Sequence, residues 1–256
     1  MKWNKGGLAV ASIIFVVLII SVIMFINRVV NPEIRVIHAK PVTDEAFFKA
    51  QADGKEETDF VRQSGITGHR YRELKDFRET AENNIAEWGY YVLTDIEVVK
   101  KNSILLHIDV RQPVAAIGDG GRYCIVDKDG YVLAVETKKP EDLILINGIS
   151  LTVRKMGQKA LDRRGSLDDA LHIASIINEK YKGLYTSFSM LEEQEVDLQT
   201  TSSVLVIINL RYDAEKSLQI AKETLDKGVT DSQIKVAGIY GYQVPDQGVE
   251  SLQRGM

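Results

Sequence analysis

The sequence is short of the residues that usually advertise chemistry. It carries one cysteine, Cys124, and four histidines in 256 residues. A single cysteine excludes an intrachain disulfide and any multi-cysteine metal site. Cys124 sits in an apolar run and reads as a small buried hydrophobe. His38, His69, His107 and His172 are scattered, and none lies in an HExxH helix or beside the cysteine, which argues against a zinc centre. No serine sits in GxSxG, so the nucleophile elbow of an α/β-hydrolase is missing. Gly118-Asp119-Gly120-Gly121 does not fit GxGxxG and has no helix after it to face a phosphate. Asp127-Lys128-Asp129-Gly130 lacks the third ligand position and the closing Glu of an EF-hand, so its Asp-Gly pair reads as a hairpin turn. The net charge is −4, without the basic surplus that draws a chain to nucleic acid. With 45% hydrophobic and 27% charged residues, the composition is that of a folded chain of one large or two modest domains. There is no internal repeat and no low-complexity segment.

Only one apolar run has spanning length. Residues 6–27, between Lys5 and Arg28, carry no charge. As a helix, about 22 residues reach roughly 33 Å, the depth of a bilayer core. A cleaved signal peptide has a shorter apolar region and a small-x-small site, and Ile23-Met24-Phe25-Ile26-Asn27-Arg28 offers none. The expectation is an uncleaved single-pass anchor at 6–27 behind a cytoplasmic head at 1–5. Lys2 and Lys5 precede the run while Arg28, Arg35 and Lys40 follow it, so charge bias does not set the orientation. The short head favours a cytoplasmic N-terminus and an extracytoplasmic body.

The rest reads as α+β in two modules. Asn31-Pro32 stops the first helix, and Ile34 to Ala39 reads as a short strand. The helix signal across Pro41 to Thr58 is weak. From Arg72 to Trp88, Leu74, Phe77, Ala81, Ile85 and Trp88 recur at helical spacing, and Gly89 ends the run. Strands follow at Tyr91–Val99 and at Ser103–Arg111, where Ile104, Leu106, Ile108 and Val110 alternate with His107, Asp109 and Arg111. That trio is the one grouping of titratable side chains worth inspecting for catalysis, although alternation on a half-exposed strand explains it more simply. These elements make a βααββ module at 31–117.

A β-rich module with two helices occupies 118–245, before a polar tail at 246–256. Its first hairpin joins Arg122–Val126 to Tyr131–Val135, and Leu143–Ile146 is another apolar run. Ser166 can cap a helix to Lys182, and Asp213 a second one through Leu225. Strands are expected at Leu184–Met190, Glu195–Leu198, Val204–Leu210 and from Ile234 to about Tyr242. No cofactor is implied.

The order of parts, and above all Asn102 to Val135, resembles the bacterial cell-division protein FtsQ, called DivIB in many Gram-positive bacteria. In that family a strand "l-x-I-x-V-x-E-R-x-P-x-A" closes a first module called POTRA, and a "y-x-x-v-D-x-d-G-x-v" hairpin follows. Ile108, Val110, Arg111, Pro113 and Ala115 match the first pattern. Tyr123, Val126, Asp127, Asp129, Gly130 and Val132 match the second. Val110 stands where the family has an acid before its Arg. Looser matches are Ser64-Gly65-Ile66 and Leu145-Ile146-Asn147-Gly148.

The resemblance implies a non-enzymatic, septum-enriched membrane protein that holds FtsB (DivIC) and FtsL in a subcomplex regulating septal peptidoglycan synthesis. It implies a partner strand added near the end of the second module, at Ile234, Val236, Gly238, Ile239, Tyr240 and Tyr242. Edge pairing of this kind is physically reasonable, since unpaired backbone groups supply affinity. Tyr240 and Tyr242 either face such a partner or cover the chain's own core; both remain open here. Arg111 and Pro113 fall at the junction of the modules, where Arg111 either orients the junction or is simply exposed. Two other classes stay in view: a POTRA-bearing component of secretion or envelope assembly, and an anchored extracytoplasmic hydrolase.

Overall fold

The computed structural model describes residues 5–100, 102–191, 194–228, 233–236 and 242–243. The apolar run folds as one helix, α1 (Lys5–Val30, 26 residues). Its side chains are described from Ile14 onward, and the apolar ones from there to Val30 are exposed. Among the described residues, no helix is long and apolar enough to cross a membrane.

Past Asn31-Pro32 the chain is pinned immediately to a folded body. The Asn31 Oδ1 accepts the Arg72 N–H at 2.8 Å, Tyr71 N–H donates to Pro32 O at 3.0 Å, and Ile34 N–H donates to His69 O at 2.9 Å. Ile34 itself is buried.

Two α+β units follow. One comprises the chain up to Ala86 with Tyr91–Val110; the other comprises Glu87–Tyr90 with everything from Arg111. In the first unit, β1 (Val36–Pro41) runs parallel to β3 (Ser103–Val110), and β2 (Tyr91–Lys100) runs antiparallel to β3 on its other side. The alternation expected for β3 holds: Ile104, Leu106 and Ile108 are buried. The stretch with the weak helix signal forms α2 (Asp44–Ala52) and α3 (Glu57–Ser64). Thr43 caps α2 by accepting the Ala46 N–H, and Glu56 with Asp59 closes a capping box on α3. α4 (Leu74–Ala86) buries Ala81, Ile85 and Ala86. It is shorter than the expected Arg72–Trp88 helix, and Trp88 lies beyond it.

The second unit is built on a nine-stranded mixed sheet. In chain order its strands are β4 (Ala115–Asp119), β5 (Arg122–Val126), β6 (Val132–Glu136), β7 (Ile144–Asn147), β10 (Tyr185–Met190), β11 (Glu195–Thr200), β12 (Leu205–Asn209), β13 (Gln233–Val236) and β14 (Tyr242–Gln243). They lie side by side as β14-β13-β12-β11-β10-β7-β4-β5-β6. A small hairpin, β8 (Leu151–Val153) and β9 (Leu161–Asp162), stands apart. α5 (Leu167–Lys180) and α6 (Ala214–Asp226) pack on one face, where Ile117, Cys124, Ile146, Phe188, Leu198 and Val206 meet Ile173, Ala174, Leu218 and Ala221. On the other face Ala116, Ile125 and Leu133 are covered by Tyr90.

Three expectations move. The boundary at 117/118 shifts to 110/111, because β4 pairs with β5 and β7 and so belongs to the second unit. Ser166 does not cap α5 through its side chain. Asp162, at the end of β9, takes that role by accepting the N–H groups of Arg164, Gly165 and Leu167. Finally, the strand expected from Ile234 to about Tyr242 is described as two, β13 and β14.

One glycine fixes how β7 leaves the sheet. Gly148 has φ +80°, and a Cβ there would lie 2.2 Å from the Met190 carbonyl oxygen. Backbone cannot yield as a side chain tip does, so Gly148→Ala should cost about 3 kcal/mol or more. Equilibrium denaturation should show that loss as a fall in the second unit's midpoint.

Candidate functional site

The first candidate is the expected edge, Ile234 to Tyr242. β13 runs parallel to β12, with Val206 opposite Ile234 and Ile207 opposite Lys235. Its other side is taken by β14, which sets Gln243 against Lys235 and Tyr242 against Val236. The single strand to Tyr242 is therefore corrected to two short antiparallel pieces. Ile234 and Val236 are buried and face the protein's own interior rather than a partner. Gly238, Ile239 and Tyr240 lie outside the described residues, as does the Tyr242 side chain. What ends the sheet is β14, two residues long, and among the described residues it is paired with β13 alone.

Next to this edge three charged side chains share the face opposite the helices. Lys235 Nζ donates to Glu195 Oε1 at 2.8 Å. Asp197, two residues along β11 from Glu195, has a buried Oδ1 with no hydrogen-bond partner. Burial pushes the Asp197 carboxyl above the usual carboxylate range, the neighbouring Glu195 adds to the rise, and Lys235 opposes it. No nucleophile or histidine is described as bonded to it.

The second candidate is the pair expected at the module junction. The structure gives Arg111 a partner inside the second unit. Its Nη1 donates to Asp127 Oδ2 at 2.7 Å, with the two side chains only 17% and 4% exposed. The guanidinium carbon lies 3.9 Å from the centre of the Tyr131 ring, a cation–π contact. The other carboxylate oxygen of Asp127 accepts the N–H groups of Asp129 at 3.0 Å and Tyr131 at 2.7 Å. Asp127 thus shapes the β5–β6 turn and neutralises Arg111 at once. Pro113 is half-buried in the link to β4, where Val114 N–H bonds Val126 O and Asn178 donates to Val114 O.

The remaining titratable groups stay apart. His107 bonds Glu97 at 3.0 Å, Asp109 accepts from Thr43 at 2.6 Å, and Arg111 lies beyond the end of β3, so the expected trio is not one cluster. His38 pairs with Glu57 and His69 stacks on Phe77, while His172 is exposed. Among the described residues no group of three or more His, Cys, Asp or Glu side chains gathers to hold a metal. Burial raises the Cys124 thiol, in keeping with a core position.

No family model matches the chain, and no curated protein does. Among solved structures the chain is similar to the major extracytoplasmic domain of the trans isomer of the bacterial cell-division protein DivIB from Geobacillus stearothermophilus. Identity is 16% and the TM-score 0.31, with 47% of this chain and 98% of that chain covered.

Two measurements test this geometry. Arg111→Met leaves Asp127 buried and unpaired, and should destabilise the second unit by about 3–5 kcal/mol. Adding Asp127→Asn should cost much less than it does in the wild-type chain, a coupling that a double-mutant cycle reads. For Asp197, a raised carboxyl pKa means that folding favours the neutral acid. Its contribution is intact below the ordinary value of about 4 and is lost as pH rises through the raised one. Asp197→Asn should therefore raise the thermal midpoint at pH 7, with the gain vanishing near pH 3.

Proposed function

We propose that this protein is an anchored, non-enzymatic scaffold of the bacterial septal division complex, of the FtsQ/DivIB kind. The observation that carries the reading is the Arg111–Asp127 pair. The two patterned stretches that resemble the family contribute one member each, and the members bond one another at 2.7 Å. A coincidental match of two short patterns carries no reason for their charged residues to be mutual partners.

Three further features fit. α1 is 26 residues, about 39 Å as a helix, with exposed apolar side chains along its described part. The part of α1 with described side chains is too short to span by itself, and in this reading the uncharged run from residue 6 completes a single-pass anchor, with the N-terminus cytoplasmic and both units extracytoplasmic. The first unit, a three-stranded sheet under helices, is the POTRA-like module. In the second unit β14 offers the ladder for strand addition by FtsB/DivIC-like and FtsL-like proteins. Regulation of septal peptidoglycan synthesis follows from holding those partners in place.

The test is co-purification of the full chain with its FtsB/DivIC and FtsL homologues. Replacing Tyr240 and Tyr242 with Asp should weaken the complex about tenfold or more, the size of an interface hot spot, while the thermal midpoint stays put. Undiminished affinity would reject the edge. Failure to form any complex with the unaltered chain would reject the scaffold reading.

A further inference from the structure

A cleft of about 580 Å³ lies at the base of α1 within the first unit, lined by Arg28, Asn31, Glu33, Arg35, Arg70 and Asn102 among others. Three guanidinium groups face it from three separate pieces of chain: the last turn of α1, the start of the sheet, and the turn before α4. The pieces are held in register by the Arg72–Asn31 bond and by the bridge between Glu33 and Arg70.

One carboxylate opposes them. Glu33 lies 3.9 Å from Arg35, and both side chains are well exposed. Among the described residues neither Arg28 nor Arg70 is in an ion pair, so the cleft keeps a surplus of positive charge. Arginine forks match phosphate oxygens two at a time.

The surroundings narrow the ligand. In the same final turns of α1, Phe25, Ile26 and Val29 are exposed, Phe25 by 69%. A free anion needs only the charges. A lipid needs charges with apolar surface one helical turn away, and this site has both.

We infer that this cleft binds the phosphate of an anionic phospholipid headgroup, with the acyl chains lying along the end of α1. The inference rests on α1 being the membrane anchor. It fixes the first unit against the membrane surface, because the arginines belong to the folded body as well as to the helix.

The experiment uses the full chain with vesicles of phosphatidylcholine alone or mixed with phosphatidylglycerol. Flotation with both kinds tests the anchor. Native mass spectrometry of the detergent-solubilised protein then counts retained lipid. Phosphatidylglycerol should be retained about tenfold over phosphatidylcholine, and R28Q/R35Q/R70Q should abolish the preference while flotation persists. These side chains are exposed, so the triple variant should fold. Equal retention of the two lipids, or a preference that survives the triple change, would overturn the site and leave the anchor standing. Loss of the preference in millimolar inorganic phosphate would overturn the lipid assignment in favour of a general phosphate site. A chain that floats with neither vesicle would remove the anchor, and the site with it.

Discussion

A buried guanidinium against a buried carboxylate holds the start of the second unit. Among the described residues most ion pairs are exposed, as Glu33–Arg35 is, and such pairs contribute about 0–1 kcal/mol. Arg111–Asp127 differs because both groups are largely out of water, so losing either partner strands a charge. The pair does not come free of cost: Arg111 Nε is buried without a hydrogen-bond partner. Tyr131 offsets part of that by lying under the guanidinium. Three local features become one joint: the chain arriving from β3, the β5–β6 turn and the first residue after that turn. Because Asp127 also accepts two backbone N–H groups, the turn and the ion pair stand or fall together.

From that joint the sheet extends through β4 to β7 and β10, and then to the short edge at β14. The helices cover one face only, and the opposite face near β11 and β13 carries Glu195, Asp197 and Lys235. Among the described residues the fold's remaining titratable groups stay apart from one another.

The sequence made some of this legible and hid the rest for identifiable reasons. Alternation at Ile104, Leu106 and Ile108 revealed β3, because one face of that strand is fully buried. The Asp-Gly turn revealed the β5–β6 hairpin, because its chemistry is local. α2 was faint: it buries only Ala46 and Ala50, while Phe47 and Phe48 point outward and blur the periodicity. The cap on α5 lies five residues upstream of Leu167, in β9, where no cap pattern looks. Arg111 and Asp127 were each singled out, but sixteen residues separate them and nothing in a single sequence pairs them. β13 shows why a strand's end is harder to read than its face. Ile234 and Val236 alternate as expected, yet the antiparallel pairing of β13 with β14 leaves no mark in their pattern.

The central claim is that the β12–β13–β14 end of the second unit is where small bitopic partners add their own strand. Amide hydrogen exchange of the full chain, alone and in complex with its FtsB/DivIC and FtsL homologues, measures that directly. The account predicts slowed exchange concentrated in residues 233–243 on complex formation, with β1 to β3 of the first unit unchanged. Protection that appears elsewhere and leaves 233–243 exchanging as before would contradict it.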